Sequence, residues 1–151
     1  MRARSRRGSS ILETGPSLFI LFVFVLFPLL DMVSMLLQYC AGWYLNSLSA
    51  HEVACLRQFD PVSGASNWQP ALNLQAQNFC NTGIGAFLRL KSNQITQNAN
   101  PVAGSTPPAV VVNTSMPIQP LLIIPMPTPI PGLNQPFNVT YTMERQREDT
   151  R

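Results

Sequence analysis

Charge is scarce in this chain, and so is every residue pattern on which enzymes commonly rely. Only 11% of the 151 residues are Asp, Glu, Lys or Arg, where soluble domains carry about 25%. There is a single histidine, His51, and the stretch around it, "HEVAC", lacks the second histidine of the zinc-protease helix motif. No glycine-rich phosphate loop, nucleophile elbow or Cys-x-x-Cys pair occurs. These absences argue against an enzyme, a cofactor and a small-molecule substrate. His51, Glu52 and Cys55 lie on neighbouring turns and could hold a metal. Three mixed donors in one stretch are more simply a surface histidine with its neighbours, so no metal is expected.

The missing charge is concentrated in one place. From Ser17 to Leu37 the only formal charge is Asp31, and 21 helical residues span about 31 Å, close to the hydrocarbon thickness of a bilayer. Tyr39, Trp43 and Tyr44 follow, as expected where a helix leaves the membrane. Arg2, Arg4, Arg6 and Arg7 precede it, which puts the N-terminus in the cytoplasm and everything after about residue 38 outside. A secretory signal peptide has a shorter apolar core and a small-residue cleavage site close behind it. Here "SLSA" at 47–50 lies too far along, and Tyr39 spoils the lipoprotein-like "LLQYC". The arginine pair in "SRRGSS" is followed by polar serines, unlike a twin-arginine signal.

Glu13 stands at the lip of this run. A first-turn acid is favoured by the helix dipole by only about 0.3–1 kcal/mol, and Asp31 could simply snorkel to the outer interface. Neither explains a glycine, a glutamate five residues later and then an unbroken apolar stretch. A carboxylate among packed apolar helices needs a cationic partner. Pro28 removes one helical hydrogen bond and should kink or loosen the span. The Gly15-Pro16 pair is expected to interrupt the start of the helix.

The stretch "RRGSSILETGPSLFILFVFVLFPLLDMVSMLLQY" resembles a type IV prepilin-like signal, and more narrowly the N-terminus of TadE/TadG-type proteins of tight-adherence pili. The resemblance covers roughly residues 5–40. It implies cleavage between Gly8 and Ser9 by a prepilin peptidase. It also implies retention of Glu13 to pair with the new amino terminus of a neighbouring subunit, and a helix carrying Pro28 and Asp31, with Asp31 sharing in assembly. Removal of the leader leaves six basic residues against seven acidic ones, turning a net charge of +3 into −1. The basic balance therefore belongs to the leader, and no nucleic-acid partner is expected.

Beyond the span, Leu45, Leu48, Val53, Leu56 and Phe59 recur mostly at helical spacing, predicting that the helix continues as an amphipathic arm. "DPVSGASNWQP" (60–70) reads as a loop. A weaker helix is predicted over 71–92, interrupted by "NTGIG", with Leu74, Phe79, Ile84, Phe87 and Leu88 on its apolar side. In an oxidising periplasm a Cys55–Cys80 bridge would tie the two helices together. It would contribute about 3–4 kcal/mol by chain entropy. The other possibility is that all three cysteines stay reduced. Ten of the fourteen prolines fall in 101–136, which predicts extended, partly edge-strand chain barred from a central strand. "FNVTYTMERQRE" alternates Phe137, Val139, Tyr141 and Met143 with polar residues and predicts one half-buried strand.

The expected fold is α+β. A long N-terminal transmembrane helix continues into an amphipathic arm, followed by a small periplasmic domain with a second helix, proline-rich extended segments and a C-terminal strand. Its parts are a leader at 1–8, the transmembrane helix at 9–37, a helical part at 38–100, the proline-rich segment at 101–136 and the strand and tail at 137–151. The resemblance implies a minor pilin-like subunit in the bacterial inner membrane, N-terminus cytoplasmic and C-terminus periplasmic. Its partners would be the prepilin peptidase, other pilin-like subunits and the pilus assembly machinery. The alternatives are an unprocessed signal-anchored protein whose periplasmic domain binds an envelope partner, or a pseudopilin of a secretion system.

Overall fold

One helical rod organises the chain, and the computed structural model describes it from Ser9 to Cys55. The structure describes residues 9–58, 66–121, 128, 130–132 and 134–148, with side chains from Thr14 onward. The rod has two α-helical parts, α1 (Ser9–Leu21) and α2 (Phe27–Cys55), joined by a π-helical turn over Phe22–Leu26. Pro28 explains the turn. It has no N–H to give to the carbonyl of Phe24, and its ring crowds that carbonyl, so widening the turn just before it relieves the clash. The expected interruption at Gly15-Pro16 does not occur, because α1 runs through Pro16. One lost hydrogen bond within an otherwise intact ladder is tolerated where the flanking turns hold.

After α2 the chain turns back. Helix α3 (Trp68–Asn81) is anchored at its start by the Trp68 indole, which donates to the Leu56 carbonyl at 3.2 Å. Trp68 and Leu72 pack beside Ala50, Val53 and Ala54, whereas Phe79 and Cys80 pack beside Ala41 and Leu45. The two helices are therefore antiparallel. The buried face of α3 is Trp68, Leu72, Ala76, Phe79 and Cys80. Of the face expected from sequence, Phe79 is buried and Leu88 packs at the edge of the core, but Leu74, Ile84 and Phe87 are exposed. The short helix α4 (Gly83–Phe87) follows, starting where "NTGIG" was expected to break the helix.

Among the described residues, three antiparallel strands complete the fold, in the order β1 (Thr96–Val102), β2 (Ala109–Ile118), β3 (Phe137–Gln146). Alternate residues of β2, from Val110 through Val112, Thr114 and Met116 to Ile118, are buried against the helices. The sheet thus packs one face and leaves the other open. The anticipated C-terminal strand is β3, with Tyr141 buried and Phe137, Val139 and Met143 half-buried. Two expectations are corrected. Residues 96–100, expected within the helical part, instead form a strand together with 101–102, because pairing with β2 outweighs the poor β-propensity of "TQNANPV". The proline-rich segment also supplies the central strand, Pro117 included. Pairing with β1 ends at Thr96↔Ser115, so at Pro117, opposite Asn138, β2 is locally an edge.

The seam between α2 and the sheet is made of small and polar residues: Ala41, Gly42, Asn46, Ser49 and Ala50 are all buried. Gln97 Nε2 donates to Ser49 Oγ at 2.8 Å and to Thr114 Oγ1 at 3.0 Å. The Thr114 hydroxyl in turn donates to Asn46 Oδ1 at 2.8 Å. This network fixes the helix against β1 and β2 in one register. At Gly42 a Cβ would lie 2.6 Å from both Met116 Sδ and the Tyr141 ring. We expect Gly42→Ala to push the sheet off the helix, costing about 1–3 kcal/mol as overpacking does. Denaturant unfolding of the two proteins measures this, and an unchanged midpoint would contradict the close approach.

Candidate functional site

Three places on this scaffold can act on something outside the chain or hold it together at a boundary. The first is the bare part of the rod. From Thr14 to Leu30 every residue is exposed except the half-buried Val23, and most are large and apolar. Thr14–Cys55 is one helix long and apolar enough to cross a membrane. A helix that is largely apolar and exposed on all sides gains by burial in lipid or among other helices. Of the residues expected to mark processing and assembly, Gly8 and the side chains of Ser9 and Glu13 lie outside the described residues.

The second place is the junction where the sheet meets the rod. Asp31 is 7% exposed, and its carboxylate accepts a hydrogen bond from the Leu121 backbone N–H. Two turns further on, Gln38 donates to the Gln119 carbonyl at 2.7 Å and accepts from the Gln119 N–H at 2.9 Å. The side-chain amide thus imitates a neighbouring strand just past the end of β2. From Asp31 onward one face of the helix is covered by the domain, while Met32, Val33, Leu36 and Leu37 stay exposed on its other faces. Helical residues Ser9–Leu30 measure about 33 Å, still enough to cross the hydrocarbon core. Asp31 serves this chain's own fold, an arrangement invisible in sequence because its partner is 90 residues away.

Two grooves flank this junction. One, of about 610 Å³, is almost wholly apolar and is lined by Met32, Met35, Leu36, Tyr39, Ile118 and Phe137. The other, of about 530 Å³, combines Leu30, Leu37 and Leu121 with Arg89 and Lys91. Arg89 takes a left-handed conformation (φ 54°) to close α4, with the Leu90 N–H bonded to the Gly85 carbonyl at 3.0 Å.

The third place is the far end of α2. His51 and Cys55, one turn apart, share a face of the helix. Glu148, just beyond β3, joins them, and donor atoms of the three lie within 4.8 Å of one another. Glu52, which sequence adjacency suggested as the third member, is not part of this cluster. The expected Cys55–Cys80 bridge is not made, and Cys40, Cys55 and Cys80 are all free thiols. Cys55 is exposed at the end of α2, while Cys80 is buried beside Ala41 and Leu45. Ten residues of helix separate Leu45 from Cys55, about 15 Å along the axis, whereas a disulfide needs its Cα atoms within about 7 Å. Burial pushes the Cys80 thiol above its ordinary pKa. Local desolvation, and then the Glu148 carboxylate beside it, push the Cys55 thiol up as well.

Comparison with protein-family models, with curated proteins and with solved structures finds no match to this chain.

Replacing Gln38 with alanine leaves the Gln119 N–H and carbonyl without partners, a loss of about 1–3 kcal/mol for that contact. Hydrogen exchange at the Gln119 amide should then accelerate by about tenfold or more. Exchange as slow as in the unmodified protein would show that the contact does not hold the segment.

Proposed function

We propose that this protein is a pilin-like structural or assembly subunit, anchored in a membrane by its N-terminal helix and built into a filament or its base by helix packing. The observation that carries the reading is the bare rod: Thr14–Leu30 is exposed and apolar on all sides, while the folded domain begins at Asp31. A shaft of this kind gains by surrounding itself with like shafts, because helix burial among neighbours replaces burial in lipid. The apolar groove beside Met35, Tyr39 and Phe137 supports the same reading, since it continues the rod's apolar surface onto the domain. The sequence contributes the leader glycine and the glutamate five residues after it.

In this reading a membrane peptidase hydrolyses the peptide bond between Gly8 and Ser9. Glu13 then pairs with the freed α-amine of an adjacent subunit, neutralising both charges in an apolar setting. The domain stands on the periplasmic side of an inner membrane, opposite the arginine-rich leader. The resemblance to TadE/TadG-type proteins points to a tight-adherence pilus and the large outer domain to a minor subunit; a secretion pseudopilin would share the mechanism and differ only in the machine served. The chain carries no enzymatic activity of its own in this account; its partners are the peptidase, sibling subunits and the assembly machinery.

The test is to co-express the full chain with a prepilin peptidase and its pilus system, alongside Glu13→Ala and Gly8→Leu. Gly8→Leu should abolish the loss of mass that accompanies cleavage. Glu13→Ala should still be cleaved, yet its incorporation into sheared filaments should fall by about tenfold or more, the scale of an unpaired buried charge. Full incorporation of Glu13→Ala would remove the role assigned to that carboxylate. A chain that stays uncut and unassembled would instead be a membrane anchor carrying a periplasmic binding domain.

A further inference from the structure

The cluster at the far end of α2 lies outside anything the proposed function uses. Cys55 Sγ stands 3.7 Å from Glu148 Oε2 and 4.0 Å from His51 Nδ1. When a thiolate at about 2.3 Å and a nitrogen or oxygen at about 2.0 Å share one tetrahedral ion, simple trigonometry separates them by about 3.5 Å. The three donors are therefore within a few tenths of an ångström of ligand spacing along both edges that meet at sulfur. All three side chains are exposed, so an ion reaches them without unfolding any part of the domain.

The groups are held by the fold rather than by chance of a floppy tail. His51 and Cys55 ride on the last turns of α2, whose neighbours Ala50, Val53 and Ala54 are buried. Glu148 is fixed by its own backbone: its N–H donates to the Ala54 carbonyl at 3.0 Å. The preceding residue is pinned twice over. Arg147 N–H donates to the Pro108 carbonyl at 2.8 Å, and its guanidinium sits 5.4 Å from the centre of the Trp68 ring. A carboxylate is thus held beside a thiol and an imidazole at the end of a helix 93 residues earlier in the chain.

We propose that His51, Cys55 and Glu148 bind a divalent transition metal of the zinc type. One nitrogen, one sulfur and one oxygen form a borderline donor set, which suits Zn²⁺ and Co²⁺ and excludes Mg²⁺ and Ca²⁺, whose ligands are oxygens. Binding replaces the Cys55 thiol proton, which is released to solvent, and leaves the fourth tetrahedral position to a water. The Glu148 carboxylate that disfavours the bare thiolate becomes a co-ligand once the ion is present. The ion ties the end of β3 to the end of α2 and closes the domain opposite its membrane junction. This does not depend on the pilin-like reading.

The experiment uses the full chain in detergent, its thiols reduced and its metals removed by chelation, titrated with Co²⁺ and then Zn²⁺ under inert gas. One equivalent of Co²⁺ should produce tetrahedral visible bands together with a thiolate-to-cobalt charge-transfer band, and Zn²⁺ should bleach both. Cys55→Ser should lose the charge-transfer band while Cys40→Ser keeps it. His51→Ala and Glu148→Gln should each weaken binding more than tenfold, since even outer-shell partners of a metal are worth about 10–100-fold. Glu52→Gln should leave affinity unchanged. The absence of a charge-transfer band in the unmodified protein would overturn the site. So would its survival in Cys55→Ser, or an equal loss of affinity in Glu52→Gln and Glu148→Gln.

Discussion

Gly42 lets the Tyr141 ring and Met116 press against the backbone of α2, and the sheet docks on the helix through that close approach. The rest of the seam follows from it. A backbone-to-ring contact leaves space on either side only for small residues, and Ala41, Ser49 and Ala50 supply them. Tight packing also strands polar groups from water, so the network of Asn46, Thr114, Gln97 and Ser49 bonds mainly within itself. The Tyr141 hydroxyl is buried against the same seam. Desolvation, with Tyr39 and Cys40 nearby, pushes its pKa up to about 12.

The same helix has to satisfy two surroundings. Up to Leu30 it is exposed, with only Val23 half-buried; from Asp31 onward one face belongs to a folded domain. The transition is made by two residues that would be out of place in lipid. Asp31 receives the Leu121 N–H, and Gln38 pairs with both backbone groups of Gln119. A backbone segment that leaves its sheet loses its partner strand, and unsatisfied N–H and carbonyl groups are costly where water is excluded. The helix provides side chains in place of that strand. Pro28 and its π turn lie just before the junction, where the rod can change direction without losing more than the hydrogen bond that proline already forfeits.

What was legible in the sequence was whatever depends on local periodicity. The long apolar helix, the break near Thr82 and the alternating β3 all declare themselves within a few residues. What was not legible depends on contacts across the chain. The central strand β2 contains Pro117, which in sequence argues for edge chain; it is acceptable here only because pairing with β1 ends at Ser115. Strand β1 is rich in Asn and Gln and has no apolar alternation to announce it. On α3 it is Ala76 and Trp68, rather than the larger apolar Leu74, that point to the core. Two cysteines on adjacent helices invited a bridge, yet Cys80 packs near the middle of α2 and Cys55 sits at its end. Of the metal cluster, sequence offered His51 and Cys55 at helical spacing; Glu148 is brought in by the sheet.

The proposed pilin-like subunit, with its bare helix as assembly surface, stands or falls on whether the leader is removed. The most direct measurement is the mature amino-terminal sequence of the protein recovered from membranes that contain an active prepilin peptidase. A processed subunit begins at Ser9, with the Arg-rich stretch up to Gly8 removed and Glu13 retained. An N-terminus still at Met1 or Arg2 beside an active peptidase would contradict it, and would leave the helix as a plain anchor.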